Sequence, residues 1–196
     1  MDFKEVLGFI FILSFCSLHA QNNKFDTTVK WDKTGYRVIC KNKNADNNEV
    51  HIATYGFVGS GASDMSFKIA GKVVKAAIDD LNSDGFPDLI FFTYDMNDRG
   101  QVYALASFQN KTCIPVMIDD IYSVPVLREG YRGHDEFTVL NGLLSRKFPV
   151  YNVDSLTKES KIISYRHVLY KVDTDHSNPE MPRMRFKIFS NNEIKK

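Results

Sequence analysis

Residues 77–108, AIDDLNSDGFPDLIFFTYDMNDRGQVYALASF, decide the fold of this chain. Two apolar runs, at 89–94 and 101–108, are rich in Phe, Ile and Tyr and are bounded by Asn, Asp and Gly, which predicts two β-strands. The first run does not alternate between apolar and polar residues. We therefore expect both of its faces to be covered, as in a central strand packed between two layers. This places the core between an acidic segment, 80–88, and a polar loop, 95–100.

Similar short runs of β-forming residues, separated by turns, recur along the rest of the chain. They predict strands at 25–31, 36–40, 49–55, 66–70, 73–78, 136–140, 143–148, 160–172 and 183–188. Asn141-Gly142 is the strongest hairpin signal, whereas Pro115 and Pro125 limit 110–125 to an edge strand or a connection. Since no segment has a sustained helical period, the sequence predicts an all-β fold. We expect an antiparallel β-sandwich of about eight to ten strands, one domain covering residues 21–196.

The first twenty residues have the features of a secretory signal peptide. Residues 6–16 are apolar but too few to span a bilayer, and Ala20 precedes the polar residues 21–23. We expect cleavage after residue 20 and export to the periplasm or the extracellular space. A lipid anchor at Cys16 is the alternative, although a bulky aromatic, Phe15, stands where a small residue should precede that cysteine. No second hydrophobic segment is long enough to span a membrane.

Without its first twenty residues the chain keeps 176 residues, a normal size for one domain with a real core. The basic residues are scattered rather than gathered into a stripe, so the sequence does not predict a nucleic-acid partner. Cys40 and Cys113 remain in the exported chain. The sequence is consistent with one disulfide between them or with two separate buried thiols, and with a monomer or a homodimer.

The acidic segment 80–88 has the spacing of a calcium-binding loop. Asp80, Asn82, Asp84 and Asp88 supply oxygens at positions 1, 3, 5 and 9, with a glycine at position 6. Position 12 is Phe91 rather than a bidentate Glu, so the segment is not an EF-hand loop. It resembles the short D-x-N-x-D-G-x-x-D loops of integrin-type and related β-repeats. We favour a tight Asp-Gly turn whose side chains bond the backbone, with calcium binding as the alternative.

Two other polar clusters do not predict catalysis. Ser60 lies directly between two glycines, which is not the Gly-x-Ser-x-Gly spacing of a nucleophile elbow. His134, Asp135 and Glu136 are adjacent in an extended segment, where neighbouring side chains point to opposite faces, so structural hydrogen bonding is the favoured role. No Cys/His or Ser/His/Asp spacing is present. We expect a protein that is not an enzyme and requires no cofactor.

A specific motif spans residues 130–151. It consists of Gly130-Tyr131-x-Gly133-His134-Asp135-Glu136-Phe137 followed by Gly142-x-Leu144-x-Arg146-x-Phe148-Pro149-x-Tyr151. This motif is similar to that of the periplasmic inhibitors of i-type (invertebrate) lysozyme. The resemblance covers about residues 73–172, including the acidic segment 80–88 and the sequence RHVLYKV at 166–172.

The resemblance implies a β-sandwich that inserts a loop with a Ser-Gly-x-Tyr motif into the active-site cleft of a lysozyme. That loop falls on residues 95–103, where Gly100 matches. Arg99 stands at the serine position and Val102 at the tyrosine position, with Tyr103 one residue later. A shift of one residue moves a side chain to the other face of a strand.

From this resemblance we expect partner contacts by Arg99, Gly100, Gln101, Val102 and Tyr103. Because a glycoside-hydrolase cleft presents two carboxylates, Arg99 is suited to a bidentate bond with one of them. Two alternatives remain at this stage. The loop is an ordinary solvated connection, or the protein is a calcium-stabilised binding module whose extracellular partner is unrelated to lysozyme.

Overall fold

The structure, a computed structural model, describes residues 24–58, 64–153, 157, 159–178 and 182–195. The predicted signal peptide, the lipid-anchor alternative at Cys16 and the rejected nucleophile Ser60 lie outside these residues. The described part of the chain contains twelve strands in two sheets, which confirms the all-β prediction and exceeds the predicted strand number.

The first sheet has four strands in the order β1-β2-β3-β4. Their bounds are Phe25–Trp31, Thr34–Cys40, Asn47–Tyr55 and Met65–Ala70. All three pairings are antiparallel, and β1 and β2 form a hairpin whose turn includes Asp32, which adopts a left-handed backbone with φ 53°. The sheet packs against one face of the next three strands along the chain, β5 (Lys72–Asp79), β6 (Asp88–Tyr94) and β7 (Gly100–Phe108).

The second sheet has eight strands in the order β5-β6-β7-β8-β12-β11-β10-β9. Their bounds are, for β5 to β12, Lys72–Asp79, Asp88–Tyr94, Gly100–Phe108, Thr112–Met117, Glu136–Leu140, Leu143–Val153, Ser160–Asp175 and Arg183–Lys195. A short 3-10 turn, Ile121–Ser123, and the helix α1, Pro125–Arg128, connect β8 to β9. In the described residues, no helix is long and apolar enough to cross a membrane.

Strand β8 differs from the sequence prediction. Pro115 predicts an edge strand or a connection, whereas β8 has a neighbour on each side. The proline is tolerated because the parallel pairing with β12 involves only Val116 and Met117, which lie beyond it. Pairing with β7 is antiparallel and ends at Ala104 and Val116, so β8 leaves β7 at that point.

Strand β6 is the centre of the fold, as its apolar sequence predicts. Residues 88–93 are all buried. Leu89 and Phe91 pack into the core shared with the first sheet, and Ile90 and Phe92 pack into a second core on the opposite face. The prediction that both faces are covered is confirmed. Each fully buried Leu or Phe side chain contributes about 1.5–3 kcal/mol, so this strand anchors both layers.

The second core lies between β6–β8 and the strands β10–β12. Its members from the later strands are Leu144, Phe148, Val150, Val168, Tyr170, Val172, Met184 and Phe186. The sheet curves enough for its two end strands, β5 and β9, to approach each other. At that closure a Cβ added to Gly142 would lie 2.8 Å from the carbonyl oxygen of Asp80, so the β9–β10 turn packs directly on the acidic segment.

Candidate functional site

The connection between β6 and β7 is a tight hairpin of residues 95–99, which we call the β6–β7 hairpin. The Asp95 carboxylate accepts hydrogen bonds from the backbone N–H groups of Asn97 (2.8 Å) and Arg99 (3.0 Å). Asp98 adopts φ 56° and donates its N–H to the Asp95 carbonyl. Asp and Asn suit these positions because their side chains replace backbone partners and tolerate a left-handed conformation.

A buried ion pair fixes the base of this hairpin. Arg146 Nε lies 2.7 Å from Asp135 Oδ1, and the side chains are only 5% and 0% exposed. The Gly100 N–H donates to Asp135 (2.7 Å), the Tyr131 hydroxyl donates to the same carboxylate (2.6 Å), and Arg146 donates to the Gly100 carbonyl (3.2 Å). The first residue of β7 is therefore tied on its donor side to Asp135, which precedes β9, and on its acceptor side to Arg146 of β10.

Aromatic rings complete the enclosure of the Arg146 guanidinium. It lies 5.4 to 5.8 Å from the ring centres of Tyr131, Phe137 and Phe148, close enough for cation–π attraction. Burial opposes its charge, but the Asp135 carboxylate raises the pKa of Arg146 above its ordinary value. Burial, reinforced by Asp135, likewise raises the pKa of Tyr131. The cluster therefore holds a charged arginine and a neutral tyrosine at neutral pH.

The segment before β9 supports the tip of the hairpin. Gly133 has φ 96°, and a Cβ at this position would lie 2.7 Å from the Asp98 carbonyl oxygen and 2.8 Å from that of Asn97. The His134 N–H donates to the Asp98 carbonyl (2.7 Å), and its Nδ1 lies 2.7 Å from the Asp98 carboxylate. Much of the motif at 130–151 thus gathers behind the β6–β7 hairpin, in agreement with the structural role predicted for His134 and Asp135.

The five residues predicted to contact a partner are not equally accessible. Arg99 is half-buried, Gln101 is exposed, and Gly100 and Val102 are buried. A Cβ at Gly100 would lie 2.3 Å from the Phe137 ring, so this glycine allows close packing inside the protein rather than approach by a partner. Gly100 and Val102 are therefore not available for direct contact.

Tyr103 lies on the face of β7 opposite to Val102 and on the same face as Gln101, whose Oε1 accepts a hydrogen bond from the Tyr103 hydroxyl (3.2 Å). It stacks on Phe91 with ring centres 5.2 Å apart, and its hydroxyl accepts a hydrogen bond from the Ala70 N–H (2.8 Å). Its side chain packs against the core shared with the first sheet, as expected for a residue one position from Val102. Tyr103 does not take the place of a tyrosine at position 102.

The exposed residues of the hairpin are Met96, Asn97 and Asp98. Met96 is 72% exposed, so it adds an apolar surface to the tip of the hairpin. The sequence prediction started at Arg99 and missed these three. Their position in a short polar connection between two strongly apolar strands is the signal that would have identified them.

The acidic segment is built differently, around Asp88. This carboxylate is fully buried and accepts backbone N–H groups from Leu81 (2.7 Å), Ser107 (2.7 Å) and Asn82 (3.2 Å). Burial raises the pKa of Asp88 to about 8, although the three N–H donors act in the opposite direction. Asp88 thereby joins the acidic segment to β7.

The other three predicted calcium ligands also bond the backbone. Asp80 accepts the N–H groups of Asp84 and Gly85, both at 3.0 Å, and Asn82 donates to the Ser107 carbonyl. Asp84 accepts the Phe86 N–H at 2.9 Å. No group of three or more His, Cys, Asp or Glu side chains with the geometry to hold a metal occurs within the described ranges. Calcium binding by Asp80, Asn82, Asp84 and Asp88 stays a prediction.

The disulfide that was one of the two alternatives is not formed in this structure, where Cys40 and Cys113 are both free thiols. Cys113 Sγ lies 4.0 Å from the Tyr36 hydroxyl. Burial raises the pKa of both thiols, that of Cys113 to about 11, so both are protonated and unreactive at neutral pH. The alternative of two separate thiols describes the structure.

A groove with a volume of about 590 Å³ lies beside the β6–β7 hairpin. It runs between β7 and the segment 117–122, where β8 has left β7. Arg99 lies in this groove with its guanidinium 5.6 Å from the centre of the Tyr122 ring. The sequence did not indicate the groove, because it depends on where β8 separates from β7.

No protein-family model and no curated protein matches this chain. Among solved structures, one titled "Structure of a Xanthomonas Type IV Secretion System related protein" is similar over 87% of this chain and 93% of that chain, with 10% identity and a TM-score of 0.33. A similarity at this level carries no argument about function, which has to come from the geometry of the hairpin.

Proposed function

We propose that this protein is exported and binds a lysozyme-like glycoside hydrolase, whose active-site cleft it blocks with the β6–β7 hairpin and the adjoining Arg99. One observation carries the proposal. The hairpin presents an exposed tip on a base that is fixed by buried charges, hydrogen bonds and close backbone packing.

A fixed base favours binding because a loop that is already ordered loses less conformational entropy in a complex. The support for this hairpin comes from the segment 130–137 and from Arg146, which are distant in sequence. Burying an ion pair is costly and contributes little net stability, so its position behind an exposed turn supports a role in holding that turn.

The chemistry of the tip suits a carbohydrate-binding cleft. Met96 offers an apolar surface and Asn97 an amide that hydrogen-bonds as both donor and acceptor. Arg99 has no ion-pair partner among the described residues, so it is available to a cleft carboxylate. Asp98 would be repelled by the same carboxylates, but its own carboxylate is held by His134.

The direct test is a lysis assay with the purified chain of residues 21–196 and lysozymes of the i, c and g types. We expect inhibition of at least one type at micromolar protein. The absence of inhibition of all three types at that concentration would contradict the proposal.

Variants of the hairpin identify the contact residues. We expect Arg99→Ala to weaken inhibition about 10- to 100-fold, because a hydrogen bond to a charged group contributes about 1.5–3 kcal/mol. Met96→Ala should also weaken inhibition. Leu140→Ala is the matched control, because Leu140 is 70% exposed on a different hairpin and should leave inhibition unchanged. Equal inhibition by the wild type and Arg99→Ala would remove Arg99 from the contact.

A further inference from the structure

The groove beside the hairpin follows from the way the second sheet divides. Residues 100–103 of β7 pair with β6 on one side, but on the other side β7 pairs with β8 only at residues 104–108. The gap is lined mainly by apolar side chains, among them Met65, Phe67, Val102, Leu105, Pro115, Met117 and Ile118. Its volume of about 590 Å³ is that of a typical small-molecule site.

Arg99 is the one charged side chain of this groove whose charged group has no ion-pair or hydrogen-bond partner among the residues that the structure describes. The other charged groups are engaged: Asp95 with two backbone N–H groups, Asp119 with Arg185, Asp120 with the Tyr122 N–H, and Arg146 with Asp135. Each of the three aspartates therefore has a hydrogen-bond or ion-pair partner of its own. An anion entering the groove has a single cation to bind.

The environment of Arg99 shows an unfilled hydrogen-bonding site. Its Nε atom is buried, and no hydrogen-bond acceptor lies within reach in the described part of the chain. The Tyr122 ring lies against the guanidinium and fixes its orientation. A buried donor without a partner is costly, and an anionic oxygen is the group that satisfies it best.

We propose that the groove binds an amphipathic carboxylate, with its apolar chain along β7 and its carboxylate on Arg99. The groove follows β7 from residue 100 to residue 105, about 16 Å at the usual rise of a strand, which suits a linear chain. The carboxylate lies at the hairpin end, since that is where Arg99 is. This site is independent of hydrolase inhibition except that both use Arg99.

Calorimetric titration with dodecanoate, below its micelle concentration, tests the site. We expect dodecanoate to bind and the matched cation dodecylammonium to bind at least about tenfold more weakly. Arg99→Ala should weaken dodecanoate binding by about tenfold or more, and Arg99→Lys should retain part of it. Arg128→Ala is the control, because Arg128 is exposed and outside the groove. Equal affinities for the two amphiphiles, or an unchanged affinity in Arg99→Ala, would overturn the proposal.

A second pair of variants separates this site from hydrolase binding. Met117 is 60% exposed in the wall of the groove and Met96 is 72% exposed at the hairpin tip, so a glutamate at either position should leave the fold intact. We expect Met117→Glu to weaken dodecanoate binding at least tenfold and Met96→Glu to leave it unchanged. Met96→Glu should instead weaken hydrolase inhibition. Unaltered dodecanoate binding in Met117→Glu would show that the ligand binds elsewhere.

Discussion

Two polar turns bracket β6, and they use the same kinds of residue in opposite ways. In the acidic segment 80–88, Asp and Asn side chains bond backbone groups of the segment itself and of β7. In the β6–β7 hairpin only Asp95 does so, and the remaining support comes from behind, from Gly133, His134 and Asp135. A turn supported by other segments leaves Met96 and Asn97 at its tip exposed to a partner.

The two turns also depend on different buried carboxylates. Asp88 has three N–H donors and no cation among its described contacts, whereas Asp135 has the Arg146 guanidinium. The first carboxylate links the turn to β7, and the second links β7 to β10. Removing either one should therefore affect stability, but through a different physical cause.

The largest effect is expected from Asp135→Ala. This change leaves the Arg146 charge buried without its partner, which typically costs about 3–5 kcal/mol. Urea unfolding followed by circular dichroism measures the free energy of unfolding. The neighbouring exposed pair supplies the control: Lys147 and Glu136 lie 3.5 Å apart, and Glu136→Gln should cost about 0–1 kcal/mol. Equal costs for the two variants would show that the buried pair does not hold the hairpin.

The next largest effect is the difference in stability between alanine variants of one glycine from each turn region. Gly85 and Gly133 both have a positive φ, 83° and 96°, so alanine strains either position by about 1–2 kcal/mol. A Cβ at Gly85 meets nothing within 4 Å, whereas at Gly133 it meets the backbone of residues 97 and 98. We expect Gly133→Ala to cost about 1–3 kcal/mol more than Gly85→Ala, from overpacking.

Inhibition provides a second measurement for the same pair of variants. Only Gly133→Ala should weaken hydrolase inhibition, because only this variant displaces the β6–β7 hairpin. If Gly85→Ala weakened inhibition as much, the acidic segment rather than the hairpin would be the working surface.

How much of this could be predicted from the sequence differs between the strands and the site. Leu89 to Phe92 could be assigned because a run of apolar β-formers without alternation has few alternatives to a strand buried on both faces. Cys40 and Cys113 could not be resolved, since their pairing depends on a packing arrangement that spacing alone does not give. Residues 112–117 could be predicted only as an edge strand or a connection because Pro115 lacks an N–H donor, whereas β8 has a neighbour on each side because its pairing with β12 begins beyond the proline.

The site was only partly predictable for a related reason. The motif at 130–151 and the loop at 95–103 were both identified, but nothing in the sequence shows that Gly133 and Asp135 pack against residues 97–100. That contact depends on the order β5-β6-β7-β8-β12-β11-β10-β9, which brings β9 and β10 round to β6 and β7. The burial of Gly100 and Val102 follows from the same closure.

The third effect is a dependence of stability on pH that comes from Asp88. Its folded-state pKa of about 8 is above the unfolded value of about 4, so the native state binds the proton more tightly. The resulting stabilisation is complete below about pH 4 and is lost as the pH rises through about 8. Asp88→Asn should remove this slope. The difference in unfolding free energy between wild type and Asp88→Asn should therefore fall by at least about 1.4 kcal/mol from pH 5 to pH 8.

A different profile would reverse the interpretation of Asp88. If the difference stayed flat from pH 5 to pH 8 and fell on acidification below pH 4, the three N–H donors would be holding the carboxylate ionised. The pH profile thus measures whether burial or hydrogen bonding dominates at this residue.

The smallest effect is expected when calcium is added to, or removed from, the acidic segment. Both oxygens of Asp80 bond N–H groups and Asp88 is enclosed, so binding would have to displace bonds that already stabilise the turn. We expect millimolar calcium to leave the melting temperature within about 1 °C of its value in chelator. An ion that binds only the folded state must raise the melting temperature, so an unchanged value shows that calcium does not bind. A rise that Asp84→Asn abolishes and Asp95→Asn keeps would instead assign the ion to this segment. The acidic segment would then bind a ligand as well as stabilise the fold. The two turns would differ in what they bind, an ion in the acidic segment and a protein partner at the hairpin.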